Sequence, residues 1–114
     1  MISPMERSLA LLRERGWTPW IVERRMPHSN VTIDLYGIGD ILALQRGYRP
    51  LLVQTTTRAN QAARRTKILA SDYLALCLHG GLVVVIHGWA KVGKRGARKT
   101  WQVTEMEITH ADAS

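Results

Sequence analysis

Asp40 and Gln54 are the residues whose types and spacing point to chemistry. Asp40 opens the stretch Asp40-Ile41-Leu42-Ala43-Leu44, after two glycines, Gly37 and Gly39. Gln54 follows fourteen residues later, inside Leu51-Leu52-Val53-Gln54-Thr55-Thr56. Two adjacent strands joined by a short turn bring such side chains to one rim. A carboxylate, a second oxygen ligand and a backbone carbonyl suit Mg²⁺ (or Mn²⁺), a hard cation that keeps several of its waters. A metal so held activates water and stabilises charge developing on a phosphoryl group. An amide inside an apolar strand must find partners, which favours a site role for Gln54. The plainer alternatives are a strand-opening Asp and a satisfied structural amide. Asp34, six residues before Asp40, is a second candidate for the metal Asp or else a loop acid. Glu23 closes a predicted strand and could approach the same site.

The elements that must position these residues follow from pattern. Residues 5–17 read as a helix, with Ser3 as cap, Pro4 at the first position, Glu6 in the first turn and Gly16 as the stop. Residues 19–25 read as a strand, and 26–30 as a turn cluster. A second strand is best placed at 38–44, with a turn at 45–50 and a third, apolar strand from Leu51. Residues 59–78 read as helical, with a break near Ser71 and Asp72, and Gly80-Gly81 ends the run. Residues 82–90 form a strongly apolar strand, expected to be buried on both faces. A Gly- and base-rich hairpin loop follows, then an alternating last strand at 100–108. The tail from about 110 to 114 reads as loose and disordered. The order is helix, three strands, helix, two strands, which is α/β with a central mixed sheet.

Composition bounds the partners. The chain has 114 residues, 46% of them apolar, enough for one domain over residues 1–114 with a real core. Its net charge is +7, which points to a polyanion, nucleic acid first and anionic membrane a distant second. Split along the chain, the charge is +2 over residues 1–57, +8 over 58–104 and −3 from 105 onward. The excess sits in two runs. Arg58 stands just before the predicted helix, and Arg64 and Arg65, with Lys67, lie within it. Lys91, Lys94, Arg95, Arg98 and Lys99 occupy the predicted hairpin loop. Either run alone could be a solvated face, but two in so small a chain favour a phosphate-binding surface.

Several classes drop out. The lone Cys77 excludes a disulfide framework and a Cys-rich zinc site, and it reads as inert core. His28, His79, His87 and His110 are scattered and form no HExxH pair. No GxSxG elbow, P-loop or GxGxxG fingerprint is present. No apolar run approaches the roughly 20 residues of a membrane span, and MISPMERS carries no signal-peptide apolar core. A soluble, cytoplasmic protein with no membrane partner is the expectation.

The order and spacing resemble the PD-(D/E)XK nuclease superfamily, and most closely the archaeal-type Holliday junction resolvases. In that family one strand carries an Asp and the next carries Glu-x-Lys or a relative of it. The opening pair Glu6-Arg7 and the later Glu14-Arg15-Gly16-Trp17 resemble the family's first helix. Gly39-Asp40-Ile41-Leu42-Ala43-Leu44 resembles its metal-Asp strand, and Gly80-Gly81-Leu82-Val83-Val84-Val85 its Gly-led fourth strand. The resemblance spans most of residues 5–108. It implies a restriction-endonuclease-like αβββαβ core, with the central sheet flanked by helices. It also implies Asp40, Gln54 and the Thr55 carbonyl as metal ligands, with Glu6 near the metal as a further acid. Two departures stand out. Gln54 replaces the family's Glu, and Thr56 stands where its Lys would fall. Lys67, on the following helix, is the natural substitute for that Lys. Glu6 also has a plain reading as a helix-start acid, and Lys67 as a solvated helix residue.

Two functions from different classes follow. The first is a metal-dependent endonuclease on DNA, selective for branched or junction structures, since no base-reading module is evident. The second is a catalytically inactive module on the same fold that binds nucleic acid or a protein partner. A homodimer is implied by the resemblance, with Trp89 and Trp101 as apolar candidates for its interface.

Overall fold

The computed structural model describes residues 2–113. Helix α1 runs Pro4–Glu14. Its start is a capping box: Glu6 N–H donates to Ser3 Oγ at 3.2 Å, and Ser3 N–H donates to Glu6 Oε2 at 3.3 Å. Gly16, at φ +90°, ends it in the left-handed region. Strand β1 covers Thr18–Ile21, β2 Arg24–Arg25 and β3 Thr32–Ile33. Strand β4 covers Ile41–Leu44 and β5 Leu51–Thr57. A 3₁₀ turn at Arg58–Asn60 leads into α2, Gln61–Leu69, and then α3, Leu74–His79. Strands β6, Val83–Val92, and β7, Thr100–Ile108, form the last hairpin, and α4 is His110–Ala113.

The main sheet is mixed and five-stranded, in the order β1-β4-β5-β6-β7, with only β5 and β6 parallel. Parallel neighbours need a crossover, and α2 with α3 supplies it. Strand β5 therefore alternates its side chains between two cores. Leu51 and Val53 face α1 with Leu12, Ile41 and Ala43. Leu52 faces the other side, with Ile68 of α2, Leu74 and Cys77 of α3, and Val84 and Ile86 of β6. Helices thus cover both faces of the sheet, as the α/β reading expects. Among the described residues, no helix is long and apolar enough to cross a membrane.

Three expectations are corrected. The strand expected over 19–25 divides. Its main-sheet part ends where Val22 N–H donates to the Asp40 carbonyl at 2.9 Å. Arg24 and Arg25 pair instead with Ile33 and Thr32 in a separate two-stranded ribbon. The strand expected over 38–44 begins only at Ile41. Tyr36 (φ +57°) and Gly37 (φ +69°) are both left-handed and turn the chain tightly, so that Leu35 bridges Gly39. Ile38 is core, but its backbone belongs to that turn. Residues 110–113 of the segment expected as a loose tail form α4, which Asp112 caps by accepting from Thr109 N–H at 2.8 Å, and Ser114 lies outside the described residues. Burial on both faces of β6 holds at its centre: Ile86, His87, Gly88 and Trp89 are all buried.

One contact fixes how α2 sits on the sheet. The Gln61 amide donates to the Ile86 carbonyl at 3.1 Å and to the Thr104 carbonyl at 2.8 Å. It fits because residue 88 is glycine; a Cβ there would stand 2.5 Å from Gln61 Oε1.

Candidate functional site

An open cleft of about 660 Å³ lies at the C-terminal end of β5. It brings together Asp40, Gln54, Thr55, Lys67 and Glu6, which sequence reasoning had singled out from four separate places. Asp34, Glu23 and Arg64 line it as well.

Asp40 is held by its neighbours on both sides. Its N–H donates to the Val53 carbonyl at 2.9 Å, continuing the β4–β5 ladder one residue past the strand. Its carboxylate then accepts twice from Thr55: from the N–H on Oδ1 at 3.2 Å and from the hydroxyl on Oδ2 at 2.8 Å. Gly39 makes this approach possible, since a Cβ there would meet Leu52 side-chain atoms at 2.5 Å. Alternate residues of a strand present the same edge. The carbonyl of Thr55 therefore lies on the edge where Val53 bonds Asp40, beyond the end of β4.

Two more acids arrive by way of the ribbon. In the β2–β3 register Arg24 faces Ile33, so Glu23 and Asp34 come opposite each other at its root. The Tyr36-Gly37 turn then folds Asp34 back beside Asp40. Carboxylate oxygens of Glu23, Asp34 and Asp40 lie within 4.8 Å of one another. Two of these carboxyls, Asp40 and Glu23, are shifted upward. Burial, above all, pushes the Asp40 carboxyl up to about 7, and the charges of Asp34 and Glu23 push the same way against the Thr55 hydrogen bonds. Glu23 is raised by burial and then by Asp34.

Gln54 joins this group through its amide. With the nitrogen turned toward Asp34 Oδ2 and the Ile38 carbonyl, it donates to both at 3.0 Å. That is the orientation in which the amide nitrogen meets two acceptors. The amide oxygen then takes the position 3.5 Å from Asp40 Oδ2. Two acceptors face each other there, which calls for a proton on Asp40 or a cation between them. All the donor atoms are oxygen, the kind a hard cation takes.

The opposite wall is basic. Arg64 and Lys67, one turn apart on α2, line the cleft with Asn60 and Thr57. Thr56 lines it too, but brings no charge. Arg58 is exposed on the 3₁₀ turn. Arg65 is drawn away from the cleft into an ion pair with Asp112, 3.0 Å. Lys91, Lys94, Arg95, Arg98 and Lys99 are all exposed. Strand β6 runs parallel to β5, so their hairpin leaves the sheet at the end where the cleft lies.

Sequence reasoning missed Thr32, Thr57 and Asn60 as lining residues. Small polar residues at strand and helix ends carry no signal of their own. A Ser–His–acid arrangement also exists, outside the cleft. Ser8 Oγ lies 2.9 Å from His87 Nδ1, and His87 Nε2 lies 3.4 Å from Glu105 Oε1. Ser8 and His87 are fully buried, and Trp89 Nε1–H donates to Ser8 Oγ at 2.9 Å. No substrate reaches that hydroxyl, so the network ties α1 to β6. Trp89 is likewise almost wholly buried, while Trp101 stays exposed. No protein-family model, curated protein or solved structure matches the chain.

Proposed function

We propose that the chain is a divalent-metal-dependent phosphodiesterase acting on DNA, with a restriction-endonuclease-like core of the PD-(D/E)XK kind. The observation that carries this reading is the meeting of Asp40, Gln54 and the free edge at Thr55 with Lys67 in one cleft. The donor set fits Mg²⁺ or Mn²⁺. Asp40 Oδ2 and Gln54 Oε1 face each other, the Thr55 carbonyl shares their edge, and Asp34 and Glu23 add negative charge close by. A cation held there supplies Lewis acidity and a more acidic water.

The chain's own groups do the rest. Thr55 fixes the Asp40 carboxylate through two hydrogen bonds, so the ligand is oriented in advance. Lys67 holds the attacking water or offsets charge on the scissile phosphate, in place of the uncharged Thr56. Glu6 approaches from the start of α1 as a further acid. Arg64, Arg58 and the β6–β7 hairpin hold the DNA backbone around the acidic pocket. None of these groups reads base edges, which supports selection by DNA structure, such as branched or junction forms. A homodimer belongs to the same reading. Trp20, 74% exposed on the edge strand β1, is a better interface candidate than Trp89.

The test is cleavage of junction, flap and linear DNA with Mg²⁺ or Mn²⁺. Cutting that disappears in Asp40→Ala, by about three orders of magnitude, is expected. Protein inert on every DNA form with either metal would overturn the reading. It would favour a binding module, to which Gln54 and Thr56 in place of a Glu and a Lys already lean. Such a module would keep its DNA affinity in Asp40→Ala and in EDTA. Its affinity would fall with salt as roughly 4–6 neutralised phosphates require.

A further inference from the structure

A second groove lies between α1 and the far edge of the sheet, and the acidic cleft makes no use of it. It holds about 550 Å³ and is lined by Glu6, Arg7, Leu11 and Glu14 of α1 with Trp89 and Trp101. Strand β7 is an edge strand, and Trp101 on it remains 43% exposed. The Arg7 guanidinium carbon lies 3.9 Å from the centroid of the Trp101 ring, a stacked cation–π pair. Arg7 Nε is shielded from water and has no hydrogen-bond partner. The stacked guanidinium and the exposed indole give the groove a cationic, aromatic wall.

Two relationships indicate what such a wall takes. Lys91 stands directly opposite Trp101 in the β6–β7 register, and the hairpin beyond carries Lys94, Arg95, Arg98 and Lys99. An exposed indole edged by cations is how proteins hold unpaired bases together with their phosphates. Glu6 lines both this groove and the acidic cleft, so the two adjoin across the first turns of α1.

We propose that this groove is a subsite for single-stranded DNA, in which an unpaired base stacks on the Trp101–Arg7 pair while the basic hairpin holds the flanking phosphates. The place of the subsite in catalysis rests on the phosphodiesterase reading, because the strand it holds runs toward the cleft. A base inside a duplex has both faces covered by its neighbours, so only an unpaired one can stack here. The substrate class that follows is DNA with a single-stranded arm or an opened branch point.

The test is fluorescence anisotropy of labelled oligothymidine and of labelled duplex, both in EDTA. The native chain is compared with Trp101→Ala, Trp101→Tyr and Arg7→Ala. Trp101→Ala should weaken single-strand binding about tenfold and duplex binding by about twofold or less, while Trp101→Tyr keeps most of the affinity. In the native chain, oligothymidine should quench indole emission. Equal losses on both DNA forms, a Tyr variant as weak as the Ala variant, or unquenched emission would each overturn the subsite. EDTA removes cleavage from the measurement. Selective single-strand binding by a chain that cuts nothing would keep the subsite and sink only the phosphodiesterase reading.

Discussion

Thr55 grips Asp40 twice, through its amide at 3.2 Å and its hydroxyl at 2.8 Å, yet the carboxyl still titrates near 7. Burial and the two neighbouring acids outweigh both bonds. The folded chain therefore binds a proton on Asp40 more tightly than the unfolded chain does. Between the ordinary Asp value of 3.8 and about 7, the folded state carries the extra proton. Stability from this group is present at low pH and lost as pH rises through about 7. With metal absent, Asp40→Asn should melt higher than the native chain at pH 8, and the gap should close toward pH 4. Added Mg²⁺ should raise the native Tm most above pH 7, where it no longer competes with the proton, and should leave Asp40→Asn unchanged. Calorimetry across that range checks it; a native Tm indifferent to Mg²⁺ at pH 8 would count against the cation site.

On the phosphodiesterase reading, Lys67 stands in for a lysine on β5. Exposed on α2, it contributes little to the fold. Lys67→Ala should cut turnover on the order of a hundredfold, with DNA affinity within about twofold and an unchanged Tm. Thr56→Lys in that background restores a cation from the strand side. Partial recovery of turnover is the expected result, and a Lys67→Ala chain with native turnover would remove Lys67 from the chemistry.

The architecture was legible in the sequence because its signals are local and apolar. Ser3-Pro4 with Glu6 announces α1, Gly80-Gly81 closes α3, and the apolar runs of β5 and β6 stand out. Within the cleft, Asp40 and Gln54 were legible as polar residues where the pattern is apolar. The ribbon was not. Its strands are two residues each, too short for a period, and the backbone turn that returns Asp34 uses Tyr36 at φ +57°, a residue with no left-handed preference. Asp34 and Glu23 were legible as candidate acids for the site, but not their meeting, which comes only through the ribbon's register. The loss of Arg65 to Asp112 is a long-range pairing that no spacing reveals.

Gly88 controls the docking of α2 and, through it, the cleft. A methyl at this position would sit 2.5 Å from Gln61 Oε1 and 2.6 Å from its Cδ, displacing the amide from two buried carbonyls. Gly88→Ala should cost about 1–3 kcal/mol of stability and lower turnover, since Arg64 and Lys67 ride on the same helix. The two residues share one contact, so their effects should not add. Combining Gly88→Ala with Gln61→Ala should cost clearly less than the two single losses together. A denaturant-unfolding cycle measures this, and strict additivity would sink the idea.

The buried Ser8–His87 pair should govern acid stability without touching the chemistry. Ser8 Oγ accepts from the Trp89 indole, so its own hydrogen goes to His87 Nδ1, leaving His87 Nε2–H to face Glu105. Arg15 holds that carboxylate in turn, at 2.6 Å, and draws Glu105 below its ordinary value. Burial holds His87 below its ordinary 6.5, so the unfolded chain takes up a proton that the folded chain refuses. Stability from His87 is present above about 6.5 and is lost as pH falls below it. Ser8→Ala strands both the Trp89 N–H and His87 Nδ1. It should lower Tm by roughly 5–10 °C at pH 7.5. It should also flatten the loss of stability below pH 6.5, because the lost bond favoured neutral His87. Turnover per folded molecule should stay native, because Ser8 faces no cleft. A folded Ser8→Ala chain with abolished cleavage would instead assign this network to the reaction.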